Sequence, residues 1–236
     1  MARFLLIHGA CHGAWAWRDV IPALETLGHE ARAIDLPSHG ADQTPASKVT
    51  LETYAEAIVA ALKLDTILVG HSMGGFPISR AAQIDPRNIA RLVYLCAYTP
   101  WPDLSLSEMR KLVDEQPLVP AFRRGADGVT MTFDKSMAPD LFYHDCPPET
   151  VSFALGALCP QPIAPMQTPL PNHAEVTLPR SYITCRDDRA IPPGLQELMA
   201  AKLPAQDRHS LPNSHSPFFA APKALAQVLD SIARSA

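Results

Sequence analysis

This chain is poor in cysteine, in charge and in long apolar runs, and each shortage narrows what it can be. Its five cysteines, Cys11, Cys96, Cys146, Cys159 and Cys185, are odd in number, widely spaced and form no C-x-x-C pair. Free thiols in a reducing compartment are the simpler account, so a cytoplasmic location is expected. Charged residues make up only 19%, the formal net charge is −4, and no block of one sign occurs. Nucleic acid and anionic membranes are therefore excluded as expected partners. No run nears the roughly 18 apolar residues of a membrane span. The opening Met1 to His8 carries one basic residue and a short apolar run. A secretory core needs about 7–15 apolar residues, so this stretch reads as a first strand.

What is present is a globular composition. The 236 residues, 47% of them apolar, suffice for a single α/β domain over 1–236 with a sizeable core. Proline is abundant, at 24 residues, and clusters between 100 and 180, which marks an irregular insert rather than a linker.

The chain is organised around Gly70-His71-Ser72-Met73-Gly74, a G-x-S-x-G sequence. The run Asp65 to Val69 before it is apolar and partly β-branched, as a buried strand is. Phe76 to Gln83 after it has helical character. A strand that turns sharply into a helix at a serine is the nucleophile elbow of the α/β-hydrolase architecture. The strained turn needs small residues at Gly70 and Gly74, where backbone comes close. The following helix aims its first N–H groups at the site, where they stabilise negative charge.

The other pieces fall in order around the elbow. Arg3 to Ile7 is a strand that runs into the Gly-rich loop His8 to Trp15. Such a loop supplies the second oxyanion donor, here assigned to the N–H of Ala10 beside that of Met73. His8 and His12 stand four apart, a zinc spacing on a helix, but the glycines break any helix and no Glu follows His8. No metal and no cofactor are expected. Trp17 to Leu27 has helical spacing with Gly28 as its C-cap. Glu30 to Ile34 is a strand, and Asp35 and His39 after it read as loop-fixing residues. Thr50 caps a helix with the stripe Leu51, Tyr54, Ile58 and Leu62. A strand over Ala90 to Ala97 closes the first half.

From 98 to 178 no strong strand signal occurs, only helical pieces such as Ser105 to Val113 and Glu149 to Leu158. The expected architecture is a mostly parallel sheet flanked by helices, with a cap inserted at this point. Trp101, Phe122, Met131, Phe133, Met137, Phe142 and Tyr143 are candidate pocket residues of that cap. The regular pattern resumes with a strand at Arg180 to Cys185, a helix near Gly194 to Lys202 and a short strand at Arg208 to Leu211. A final helix runs over Pro222 to Ile232.

The fold orders its triad Ser, acid, His. Asp188 follows the late strand and is taken as the acid, with Asp187 in reserve and Asp103 a remote third option. His215 lies in the loop before the last helix, where the general base belongs. His209 is the alternative, but it lies within a strand. Ser72 would attack, His215 would move its proton, and Asp188 would hold the imidazole.

These residues carry a resemblance. His8-Gly9-Ala10-Cys11-His12-Gly13-Ala14-Trp15, Gly70 to Gly75, Cys185-Arg186-Asp187-Asp188-Arg189-Ala190-Ile191-Pro192 and the placement of His215 resemble the plant methylesterase and hydroxynitrile lyase family of α/β-hydrolases, with its bacterial relatives. The likeness spans nearly the whole chain and is weakest in the cap. It implies hydrolysis of a small carboxylic ester, no cofactor, and a homodimer. The family's lyases have Thr at the position of Gly9 and Lys at that of Ser216. Both departures favour ester hydrolysis over cyanohydrin cleavage. Lactone hydrolysis uses the same parts and stays open.

Overall fold

Among the described residues nine strands form in chain order, six of them in one central sheet. They are β1 (Arg3–Ile7), β2 (Glu30–Ile34), β3 (Thr66–His71), β4 (Ile89–Leu95), β5 (Phe122–Arg124), β6 (Thr130–Phe133), β7 (Gln161–Pro162), β8 (Arg180–Cys185) and β9 (Arg208–Leu211). The computed structural model describes residues 1–171 and 177–235. The central sheet has the order β2-β1-β3-β4-β8-β9, and every neighbouring pair is parallel. β3 is buried at all its positions, and β4 and β8 at nearly all. Helices on both faces demand that, and it is why these strands read as continuous apolar runs rather than alternating ones.

After β2 the chain crosses back, so that β3 lies on the other side of β1. In an open parallel sheet such a reversal leaves a crevice at the carboxyl ends of the strands. The loops after β1, β3, β8 and β9 all leave from that end.

Local chemistry sets the helices. Thr50 caps Leu51–Ala61: its hydroxyl accepts the Thr53 N–H at 3.1 Å, and the Thr53 hydroxyl accepts the Thr50 N–H at 3.0 Å. A reciprocal cap of this kind contributes about 1 kcal/mol. The helix buries Leu51, Tyr54, Ala55 and Ile58. The last helix, Pro222–Arg234, buries Leu225, Ala226, Leu229 and Ile232 and packs against Val20–Thr26. Among the described residues no helix is long and apolar enough to cross a membrane. All five cysteines are free thiols.

Two expectations need correction. The continuous helix over Trp17 to Leu27 is instead a 3-10 turn at Ala14–Trp17 and a shorter helix at Val20–Thr26. Pro22 has no N–H to donate to the Arg18 carbonyl, so it is tolerated only in a first turn. Gly28 (φ +84°) stands one position beyond the cap. There its N–H reaches the Glu25 carbonyl while that of His29 reaches Leu24, which closes the helix as a Schellman motif.

The insert is not strand-free either. β5, β6 and β7 form a small antiparallel sheet. Each strand is two to four residues long, too short for a periodicity to show. The Asp127-Gly128 pair makes the β5–β6 turn: Asp127 Oδ1 accepts the N–H groups of Val129 and Thr130, and Gly128 has φ +72°. The helical piece expected over Ser105 to Val113 is a helix at Leu106–Met109, capped by Ser105, that tightens into a 3-10 turn at Arg110–Leu112. The expected Glu149 to Leu158 piece spans Pro148–Ala157. Positions 172–176 of the expected cap lie outside the described residues.

Candidate active site

Ser72 sits where β3 ends and a 3-10 turn (Ser72–Gly74) opens the helix Gly75–Ile84. Its φ is +55°, a conformation that costs a non-glycine residue about 1–3 kcal/mol and persists only where the surroundings impose it. The surroundings are three close approaches. A Cβ on Gly70 would meet the Gly74 carbonyl oxygen at 2.6 Å, and one on Gly74 the His8 carbonyl oxygen at 2.9 Å. A Cβ on Gly75 would meet the Tyr98 carbonyl oxygen at 2.1 Å, so Gly75 belongs with the two expected glycines. From the other side the Tyr98 N–H donates to the Ser72 carbonyl at 3.1 Å, which braces the turn with the chain that follows β4.

Asp188 and His215 meet below this turn. Asp188 is buried in the turn after β8, and four donors converge on its two oxygens. Oδ1 accepts the N–H groups of Ala190 (2.7 Å) and Ile191 (2.9 Å). Oδ2 accepts the Gln196 side-chain amide (2.8 Å) and His215 Nδ1–H (2.7 Å). The proton on Nδ1 leaves Nε2 as the acceptor nitrogen of His215, in a cavity that Ser72 also lines. Asp187, the reserve, points out to His144 at the surface (3.0 Å). Neither His209, half-buried on β9, nor Asp103 lines the cavity.

Two parts of this arrangement escaped sequence reasoning. Gln196, in the helix after the acid, was hidden among helical positions. His71 donates from Nε2 to the His215 carbonyl at 2.9 Å and so fixes the backbone of the loop. Cys96 Sγ–H reaches the same carbonyl at 3.5 Å. The x before the serine in G-x-S-x-G was the one available signal for His71.

His8, His12 and His39 hold loops in place. His8 accepts the Leu36 N–H on Nε2 and donates from Nδ1 to the Gly9 carbonyl, which leaves no ring nitrogen for a metal. His12 donates from Nδ1 to the Ala10 carbonyl (2.8 Å) and accepts the Tyr143 hydroxyl on Nε2 (2.7 Å). It ties the insert to the loop that carries Ala10. Asp35 and His39 fix their loop as expected: Asp35 accepts the N–H groups of Ala14 and Ala41, and His39 reaches Gln161 of β7.

Burial holds His8, His12, His39 and His71 below the usual histidine range, His12 down to about 4. The unfolded chain protonates its histidines near pH 6.5, before the folded chain does. Stability is therefore complete above about pH 6.5 and falls as the pH drops from there. For His12 the loss is finished near pH 4 and amounts to about 3 kcal/mol, with His8 and His71 acting in the same direction. The urea midpoint is expected to drop steadily between pH 7 and pH 5. A flat midpoint over that range would mean that these imidazoles are not buried in the neutral form.

Above the serine lies a cavity lined by Ala10, Ser72, Met73 and His215 and by residues of the insert. Of the candidate pocket residues, Phe122, Phe133 and Phe142 line it. The others do not. Trp101 lines a separate surface depression with Lys202, Met131 is turned onto Cys11, and Tyr143 is bonded to His12. Met137 packs against the core. Tyr98, Leu106, Arg110, Leu118 and Met166 line the cavity unforeseen, because no period runs through the insert to say which side chains face inward.

Comparison with known proteins shows the family and the fold. Residues 4–228 match the model of the "Alpha/beta hydrolase family". The chain is 30% identical to Methylesterase 1 of Arabidopsis thaliana, over 98% of this chain and 95% of the relative. It is 29% identical to Methyl jasmonate esterase 1 of Vitis vinifera, over 98% and 97%. Among solved structures it resembles a pyrethroid hydrolase from Sphingobium faniae, with 30% identity, a TM-score of 0.87, and 99% and 97% of the two chains covered.

Proposed function

We propose, from the premise that this chain belongs to the alpha/beta hydrolase family and to its methylesterase-like group, that it hydrolyses a small carboxylic ester through an acyl-enzyme on Ser72. The observation that supports the reading is the buried Asp188–His215 pair, joined at 2.7 Å, with His215 lining the same cavity as Ser72. In the proposed cycle the Ser72 hydroxyl attacks the ester carbonyl and gives its proton to Nε2. His215 then passes that proton to the departing alcohol. Water repeats the sequence on the acyl-enzyme and releases the acid. The N–H groups of Ala10 and Met73 receive the carbonyl oxygen as it gains charge, and each such donor is worth about 3–4 kcal/mol of barrier. The peptide that carries the Ala10 N–H is held through its Gly9 carbonyl, which accepts from His8 Nδ1 at 2.9 Å and from the His12 N–H at 3.3 Å.

Carbon–carbon cleavage of cyanohydrins is disfavoured at two positions. A Cβ on Gly9 would lie 2.7 Å from His71 Nδ1 and 2.9 Å from the Ser72 Cβ, so this backbone has no room for a threonine. Ser216 is wholly buried, outside the cavity lining, and carries no charge to stabilise cyanide.

The test is a panel of p-nitrophenyl and methyl esters, with cyanide release from mandelonitrile followed alongside. A fluorophosphonate should add one equivalent of mass to the peptide that contains Ser72 and stop ester hydrolysis. Cyanide release without ester cleavage would overturn the reading, and so would labelling at another residue.

A further inference from the structure

Away from Ser72 and the histidines beside it, the cavity is lined mostly by apolar side chains, with Tyr98, Ser107 and Arg110 as the polar ones. Leu106, Leu118, Phe122, Phe133, Phe142 and Met166 form most of its far wall, and among them stands Arg110. Its position follows from local structure. Ser105 caps the short helix Leu106–Met109, and the chain then tightens into the 3-10 turn Arg110–Leu112, which holds Arg110 at the wall. The guanidinium lies 4.6 Å over the Phe122 ring, which is itself part of the lining.

What Arg110 lacks is a counter-charge. Its Nε is buried and has no hydrogen-bond partner, and among the described residues no carboxylate pairs with it. The nearest acid in sequence, Glu108, is turned away: its carboxylate accepts both the N–H and the hydroxyl of Ser105. Cation–π contact with a phenyl face supplies no acceptor in line with the forked donors of a guanidinium. A half-buried cation in an apolar wall is costly unless something supplies acceptors. Among the described residues eight other arginines have an acidic partner, Arg91 with Asp207 among them; Arg32, Arg124, Arg180, Arg186 and Arg208 have none, but none of those five lines the cavity that holds Ser72. Arg110 is the arginine whose partner would have to enter through the active site.

We infer that Arg110 is the specificity residue for a carboxylate carried by the substrate at the end remote from the scissile bond, so that the preferred esters are monoesters of dicarboxylic acids. This rests on the ester-hydrolase reading of the same cavity. The apolar wall would hold the methylene or ring spacer, and the guanidinium would take the free carboxylate with both forks. A charge-assisted contact of that kind is worth about tenfold to a hundredfold in kcat/KM over a neutral ester of equal length.

The experiment compares monomethyl esters of the straight-chain dicarboxylic acids, from succinate to suberate, with methyl esters of monocarboxylic acids of matched length. The wild type should favour at least one half-ester over its neutral counterpart by about tenfold or more, mostly through KM. In Arg110→Met that ratio should collapse towards unity. Arg110→Lys, which keeps the charge but not the fork, should restore part of it. The preference should also weaken with added salt, which a purely structural role of Arg110 would not predict. If the wild type cleaves neutral esters at least as well as every half-ester, the inference fails while the hydrolase reading stands, and that outcome does not depend on any variant folding. If no ester is cleaved, the hydrolase reading fails. Calorimetric binding of the half-esters to the Ser72→Ala protein, with and without Arg110→Met, then decides the role of Arg110 separately.

Discussion

Replacing Ser72 with alanine is expected to lower kcat for ester hydrolysis by about ten-thousandfold to a millionfold while KM and the melting temperature change little. The substitution removes one atom from a residue whose backbone is already fixed. The positive φ of Ser72 comes from the contacts of Gly70, Gly74 and Gly75 with neighbouring carbonyls and from the Tyr98 N–H, none of which involves the serine side chain. Alanine meets the same left-handed strain as serine, so the elbow keeps its shape and the cavity its volume. What disappears is the nucleophile. The two N–H donors and the binding wall remain, and they alone set the residual rate. Steady-state kinetics on the best ester of the panel, with thermal unfolding of both proteins in parallel, gives the answer. A variant that keeps more than about one part in a hundred of the wild-type kcat would show that another group attacks the ester.

The sequence carries the site far better than it carries the pocket, and the reason is physical. β3 and β8 are buried on both faces, so their apolar runs are long and sharply bounded. The residues that follow such strands are confined to one end of the sheet. Ser72, His215 and the pair Asp187–Asp188 could therefore be nominated from order and spacing alone. The choice between Asp187 and Asp188 could not be made on local grounds, since adjacent residues in a turn point apart. The structure separates them by partners: Asp188 takes four buried donors, and Asp187 faces His144 at the surface. In the insert no strand exceeds four residues and no described helix exceeds ten, so neither period repeats often enough to reveal an inward face. Large apolar side chains alone nominated seven pocket residues, five aromatics and two methionines, and four of the seven have other tasks. Arg110 was invisible for the opposite reason: an arginine on a short polar turn reads as surface until the Phe122 ring and the cavity are seen beside it.

The proposed orienting acid gives the second large effect. Asp188→Asn is expected to lower kcat by about ten-thousandfold with KM within a few-fold of wild type, although the two side chains are nearly isosteric. The hydrogen bonds around Asp188 dictate how the amide must sit. Three of its four partners, the N–H groups of Ala190 and Ile191 and the Gln196 amide, are fixed donors. Asparagine has a single acceptor oxygen, and two backbone N–H groups already converge on the Oδ1 position. The oxygen stays there, and the NH₂ turns towards His215 and Gln196. Facing an N–H donor, His215 must accept on Nδ1 and carry its proton on Nε2. That tautomer presents Ser72 with a proton where a lone pair is needed, so the imidazole can no longer act as a base. Asp187→Asn serves as the control. Its carboxylate is more than half exposed and holds only a surface pair with His144, so kcat should stay within about twofold of wild type. Kinetics of the two variants on one ester, with thermal unfolding to confirm both folds, distinguishes the adjacent acids. Loss of activity in the Asp187 variant with retention in the Asp188 variant would transfer the orienting role to the other carboxylate and with it overturn the proposed triad.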